Sequence, residues 1–240
     1  MWRTSRFWKG CDWAICNVIR RNTPAVVFAT RSGGTTIDQD AFGGNPFATS
    51  LIQLTSDSPF PFRQFPRRLR ALTVDASQGH QLPQWSNWPE KVSWTFQPRP
   101  SAPQERRCAL VLVVSDYSRA GLAPLAGAAI DERRISAMLA TNDFSVVQGV
   151  APSRESLLAA LADFGRLARK HDAAVIYCTG HGVELDSGVH LLPGDYPVKR
   201  GFSRGLLRTR AVSVDRIATA CRASKVNLVF FAGCRTLASS

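Results

Sequence analysis

The chain has 240 residues, of which 45% are hydrophobic and 20% charged; 30 Lys and Arg against 18 Asp and Glu give a net charge of +12. This length and apolar content suit one large folded domain and exclude disordered and collagen-like chains. No apolar run approaches the roughly 18 residues that a membrane span needs. The basic start lacks the apolar run of a signal peptide. We therefore expect a soluble, cytoplasmic protein without a membrane partner.

The first segment, residues 1–96, carries a loose pattern of strands and helices. Its predicted elements are a strand, two helices and a final strand, at residues 25–30, 46–54, 69–73 and 92–96. The next stretch, 97–107, contains three prolines among mixed charges and is therefore predicted to be a linker.

The second segment, residues 108–240, alternates short apolar runs with helical spacing. Strands are predicted at residues 108–114, 145–150, 173–178 and 226–232, and helices at 127–141, 153–170 and 214–223. Such alternation predicts a mostly parallel sheet covered by helices on both faces. If the first segment adds its strands to the edge of this sheet, the chain forms a single α/β domain of about six strands in three layers.

Two predicted strands end in residues that can carry chemistry. The run AAVIYC continues into Thr179, Gly180, His181 and Gly182, and the run VNLVFFA continues into Gly233, Cys234 and Arg235. Active sites of open α/β sheets lie at the carboxyl ends of the strands. A thiolate nucleophile needs a partner that takes its proton, and imidazole is a common one. This placement predicts a catalytic pair of His181 and Cys234.

Structural roles are the alternative for both residues. A lone cysteine after an apolar strand is more often part of the core, and a lone histidine at a strand end is often structural. Cys178 lies inside a predicted strand and is expected to be inert. The remaining cysteines and histidines lack a comparable setting: Cys11, Cys16, Cys108 and Cys221, His190 in a predicted hairpin, and His80 and His171 at the predicted surface.

The motifs YCTGHG, HLLPGD and VNLVFFAGCR resemble the large-subunit (p20-like) half of the caspase-like cysteine peptidases, above all metacaspases and orthocaspases. The stretch PLAGAAIDERRISAML resembles the first helix of that half. The first segment, from AVVFAT to SLIQL, resembles the small-subunit (p10-like) half, which normally follows the catalytic cysteine. The resemblance thus implies a circular permutation like that of type III metacaspases, either in a monomer or in a dimer that exchanges halves.

The resemblance also implies a function, that of a hydrolase of the thiol protease class. Cys234 would be the nucleophile of a cysteine endopeptidase and His181 its acid–base partner. The backbone N–H groups of Gly182 and Cys234 would stabilise the oxyanion. Asp131 would bind a basic side chain at P1, the substrate residue before the cut bond, and Thr179 would line that pocket. The expected partner is a peptide or protein substrate with Arg or Lys at P1.

Departures from the family pattern leave alternatives open. Ala232 stands where the family usually has Asp or Gln, so an inactive caspase-like interaction module is the second hypothesis. Metacaspases often need calcium, but the acidic residues Glu184, Asp186, Asp195 and Asp215 are dispersed, so no cofactor is certain and calcium is possible. The basic stretch 199–210 is predicted to be a solvated loop. Because no binding motif accompanies the charge, a nucleic-acid partner is disfavoured and polyanion binding is the third hypothesis.

Overall fold

The computed structural model describes residues 23–56, 60–98, 105–150, 153–186 and 188–237. Strands in these residues are β1 (Ala25–Phe28), β2 (Gln84–Ser86), β3 (Arg107–Val113), β4 (Phe144–Val150), β5 (Ala173–Thr179), β6 (Gly182–Leu185), β7 (Gly188–Leu191), β8 (Val212–Ser213), β9 (Val226–Phe231) and β10 (Thr236–Leu237). Helices are α1 (Pro46–Ser56), α2 (Phe65–Ala76), α3 (Ala126–Thr141), α4 (Arg154–Ala168), α5 (Arg204–Arg210) and α6 (Val214–Ala218).

The central sheet has six strands in the order β2-β1-β9-β5-β3-β4. Neighbouring strands are parallel, except that the edge strand β2 runs antiparallel to β1. One row of paired residues crosses from β1 to β4, through Val26, Val229, Ile176, Leu110 and Val147. The predicted α/β class with a mostly parallel six-stranded sheet is confirmed.

Two apolar cores cover the faces of this sheet. Every residue of β3, β5 and β9 is buried, as expected for strands packed on both sides. Alternate side chains of β5 enter opposite cores: Ile176 packs with α4, α5 and α6, and Val175 packs with α1, α2 and α3. The molecule therefore has three layers.

A second, smaller sheet of four strands has the order β10-β6-β7-β8. Its hairpin β6–β7 confirms the hairpin predicted around His190. β10 pairs in parallel with β6, so the chain after Cys234 is bound to the hairpin that follows His181. No helix in the described ranges is long and apolar enough to cross a membrane.

The structure corrects a predicted strand and a predicted helix. Residues 92–96 are not a strand, because Trp94 and Phe96 instead pack against the rings of Phe62 and Phe65. Helix α6 ends at Ala218 rather than 223. The Asn227 side chain accepts the Ala223 N–H and donates to the Ala223 carbonyl, which fixes a turn before β9 instead of further helix.

The basic stretch 199–210 is also not a plain loop, since α5 occupies its second half and Ser203 caps the helix. The linker prediction is wrong at its end, because Arg107 begins β3 and its buried guanidinium donates to the carbonyls of Thr95 and Phe96. Residues 99–104, at the centre of that linker, lie outside the described residues, as do Cys11 and Cys16.

Candidate active site

The chain segments that carry His181 and Cys234 meet at the carboxyl ends of β5 and β9, two adjacent parallel strands. A Cβ on Gly182 would collide with the carbonyl oxygen of Cys234. A Cβ on Gly233 would lie 2.6 Å from the carbonyl oxygen of Gly180. Only glycine at both positions allows the two backbones to approach so closely. The structure thus brings His181, Gly182 and Cys234 to one place.

Tyr117, which follows β3, holds the histidine. Its hydroxyl accepts the backbone N–H of His181 at 2.7 Å and donates to the carbonyl of Leu192 at 2.8 Å. The Tyr117 and His181 rings pack edge to face with centroids 4.5 Å apart. Tyr117 is fully buried, and this burial raises the pKa of its phenol, so the hydroxyl keeps its proton. Tyr117 is not among the site residues predicted from the sequence.

The imidazole of His181 is half-buried, and burial lowers its pKa below the usual 6.5. A hydrogen bond with the backbone of Ala123 and the charge of Asp38 oppose this shift. The Nε2 atom is buried and, within the described part of the chain, has no hydrogen-bond partner. A neutral imidazole with a free nitrogen can accept a proton from a reacting group.

Cys234 is half-buried, and a residue of the first segment contacts its sulfur. The backbone N–H of Thr36 donates to Sγ at 3.3 Å, and the Thr36 hydroxyl oxygen lies 3.4 Å from Sγ. The Gly33 N–H donates to the Arg235 carbonyl, and the Arg235 N–H donates to the Gly34 carbonyl. The loop after β1 is therefore part of the candidate site, although no residue of this loop was predicted there from the sequence.

The Arg235 side chain links the chain after Cys234 to β6 and to the first segment. Its guanidinium makes a two-point contact with the carboxylate of Glu184, at 3.1 Å for each bond. It also donates to the Gln84 side chain at 2.8 Å and lies 4.4 Å from the centroid of the Phe28 ring. Both members of the ion pair are buried, so Arg235 joins the first segment to β6 within the protein interior.

Asp131 lies on α3 with no solvent exposure. Its carboxylate accepts the Asn45 N–H at 3.1 Å and the Tyr177 hydroxyl at 3.1 Å, and Arg134 lies 3.7 Å away. Burial raises the pKa of Asp131 to about 7, in spite of these partners. Thr179 is buried two residues beyond Tyr177 and therefore lies on the same face of β5. Asp131, the residue predicted to bind a basic P1 side chain, is thus covered by Asn45, Tyr177 and Arg134 and has no contact with solvent.

The other described cysteines differ from Cys234. Cys108, Cys178 and Cys221 are buried, and burial raises their thiol pKa values, that of Cys108 to about 12. A thiol that keeps its proton is a poor nucleophile. Cys178 is buried within β5, which agrees with the prediction that it belongs to the core, and Cys234 is the partly exposed thiol among the four described.

The remaining histidines have local contacts. His190 bonds the Gly188 carbonyl, and exposed His80 lies 3.0 Å from the Thr35 hydroxyl. His171 is half-buried against the Leu167 carbonyl rather than fully at the surface. Across the described residues, no group of three or more His, Cys, Asp or Glu side chains is arranged to hold a metal ion.

Comparison with known families decides the relationship. The caspase domain family matches residues 106–239, more than half of the chain, including His181 and Cys234. The chain belongs to the caspase domain family. No curated protein matches it. Membership supports a cysteine peptidase-like hydrolase in general terms, and the three-layer α/β architecture agrees with a caspase domain.

Proposed function

We propose that this caspase domain is a cysteine endopeptidase that uses Cys234 and His181. The observation that carries the proposal is the meeting of two glycine-flanked strand ends. One presents a half-exposed thiol, and the other presents an imidazole whose Nε2 lacks a partner among the described residues. Free, reduced thiols in the described residues suit the cytoplasm, where we place the protein.

The reaction would proceed in two stages. His181 takes the proton of the Cys234 thiol, and Sγ attacks the carbonyl carbon of the scissile peptide bond. The N–H groups of Gly182 and Cys234 stabilise the negative oxygen that develops. The C–N bond then breaks as the imidazolium gives its proton to the leaving amine. In the second stage His181 removes a proton from water, whose oxygen attacks the carbonyl carbon of the thioester. The C–S bond then breaks, the carboxylic acid product leaves, and the imidazolium returns its proton to the sulfur of Cys234.

We propose Arg or Lys at P1, recognised by Asp131 beside Thr179. The support is chemical: the buried carboxylate already has a guanidinium, that of Arg134, 3.7 Å away. A substrate guanidinium would take the place of Arg134, which is only partly buried and also donates to the Thr49 hydroxyl at 3.0 Å. A charged partner would also favour the ionised form of the Asp131 carboxyl.

The order of the halves supports a permuted, type III metacaspase-like arrangement. β1, from the first segment, pairs in parallel with β9, the strand that leads to Cys234. A p10-like half would supply its strand at this position. We propose that both halves come from one chain, with exchange between two chains as the alternative. Cleavage between a large and a small subunit after the cysteine would then not be needed for activity.

An inactive interaction module is the second candidate. Asp131 is fully buried, and position 232 holds alanine rather than an acidic residue. Both features favour this candidate, because both weaken a binding pocket for a basic side chain.

Hydrolysis of fluorogenic peptides distinguishes the two candidates. Peptides with Arg, Lys or Asp at P1 are incubated with the whole chain, with and without calcium, beside Cys234→Ala, His181→Ala and the control His190→Ala. The peptidase predicts turnover of the Arg or Lys peptide that both site variants abolish and the control retains. A folded wild-type protein that cleaves none of the peptides under any condition contradicts it and favours the interaction module.

A further inference from the structure

A cavity of about 780 Å³ lies behind the β6–β7 hairpin, between α4, α5 and α6. This volume is within the roughly 300–1,000 Å³ of small-molecule sites. None of its lining residues belongs to the candidate active site. Three residues of the basic stretch 199–210 line it, namely Arg204, Leu207 and Arg208. The proposed peptidase mechanism assigns no role to these residues.

The lining of the cavity carries an excess of positive charge. Four arginines line it, from three helices, against a single aspartate: Arg154, Arg204, Arg208, Arg216 and Asp186. The Asp186 carboxylate forms an exposed ion pair with the Arg204 guanidinium, with a nitrogen–oxygen distance of 2.6 Å. The guanidinium of Arg154 donates to the Ala211 carbonyl, and its backbone N–H donates to Asp195. Within the described ranges, neither Arg208 nor Arg216 takes part in an ion pair.

Part of the cavity lining is apolar. Five aliphatic residues contribute to it: Leu158, Leu185, Leu207, Ala211 and Val212. A bare inorganic anion would leave this surface without a partner. A ligand with an apolar or aromatic body and a charged end would cover the aliphatic residues and contact the arginines at the same time.

We propose that this cavity binds a small organic polyphosphate of nucleotide size. Guanidinium groups form paired, charge-assisted hydrogen bonds with phosphate oxygens, and Arg208 and Arg216 have such donors to offer. The arginines line a cavity of limited volume rather than a long flat face, which favours a small ligand over a nucleic acid strand. This site does not depend on the proposed peptidase activity.

Isothermal titration of the whole chain at 150 mM salt tests the proposal, with ATP, inorganic pyrophosphate and adenosine as probes. The double variant Arg208→Ala/Arg216→Ala removes the two unpaired guanidinium groups. The control Arg210→Ala/Arg133→Ala removes the same charge from exposed arginines outside the cavity, one of them on the same helix.

We expect saturable binding of ATP, weaker binding of pyrophosphate and none of adenosine. The cavity variant should raise the Kd for ATP at least tenfold, and the control should change it less than twofold. Equal losses in the two variants, or no saturable ATP binding to the folded wild-type chain, would overturn the proposal. Tighter binding of pyrophosphate than of ATP would contradict the claim that the ligand has an organic part. A single-stranded oligonucleotide that binds tighter than ATP would replace the proposal with a nucleic-acid site.

Discussion

The backbone N–H of Thr36 lies 3.3 Å from the sulfur of Cys234, although 198 residues separate the two along the chain. The hydroxyl of the same threonine lies 3.4 Å from that sulfur. The backbone N–H donates to the sulfur, and in the second contact either the hydroxyl or the thiol can be the donor. A residue of the first segment therefore contacts the proposed nucleophile at the end of the second.

Thr36→Val removes the hydroxyl and keeps the shape and the backbone N–H. Because one hydrogen bond contributes about 0.5–1.5 kcal/mol, we expect alkylation of Cys234 by iodoacetamide at pH 7 to slow by roughly three- to tenfold. The matched control is Thr35→Val, whose hydroxyl contacts His80 instead. Equal alkylation rates for Thr36→Val and the wild-type protein would show that the hydroxyl does not act on the thiol.

Arg134 is expected to compete with a basic P1 side chain for Asp131. Arg134→Ala removes a guanidinium that lies 3.7 Å from the carboxylate, so it should raise kcat/KM for an Arg peptide while Asp131→Asn lowers it. Relative rates for Arg and Asp peptides are the measurement. If Asp131→Asn lowers both peptides by the same factor, Asp131 supports the fold and does not select P1.

The buried carboxyl of Asp131 makes stability depend on pH. Its pKa rises from 3.8 to about 7 on folding, so the folded state holds an extra proton between these values. This contribution to stability is complete below about pH 4 and is lost as the pH rises through 7. At about 1.4 kcal/mol per pH unit, the free energy of unfolding should fall by roughly 2–3 kcal/mol from pH 5 to 8 relative to Asp131→Asn. Urea titrations at both pH values measure this, and parallel pH profiles for the two proteins would contradict it.

The ion pair of Arg235 and Glu184 is expected to be costly to break. Arg235→Ala leaves a buried carboxylate without its partner and should lower the free energy of unfolding by about 3–5 kcal/mol. Adding Glu184→Gln, which removes the stranded charge, should recover part of that loss. Urea denaturation measures both variants. A loss below about 1 kcal/mol for Arg235→Ala would mean that water or another group replaces the arginine.

The sequence alone predicts the elements whose positions depend on a local pattern of apolar residues. β3, β5 and β9 are continuous apolar runs buried on both faces, and their bounds were predicted within one residue. The edge strand β2 has three residues, too few for a period to be recognised. Residues 92–96 have a strand-like composition, but the packing of Trp94 and Phe96 in the aromatic core determines their path.

In the candidate site, too, some residues can be predicted from local sequence and others depend on contacts between distant segments. The sequence predicts His181 and Cys234 as site residues because each follows a strand and adjoins a glycine. Tyr117 and Thr36 were not identified, because their roles arise from contacts between loops far apart in sequence. Asp131 was selected by resemblance, but its full burial depends on Asn45 and Tyr177, which no spacing reveals.

Covalent labelling tests the central claim most directly. A peptide ending in an arginyl acyloxymethyl ketone is incubated with the whole chain, and mass spectrometry of the digest locates the adduct. The account predicts one adduct per chain, on Cys234, which is lost in His181→Ala and retained in the control His190→Ala. A folded protein that gains no adduct on Cys234, or that is labelled there equally well without His181, would contradict it.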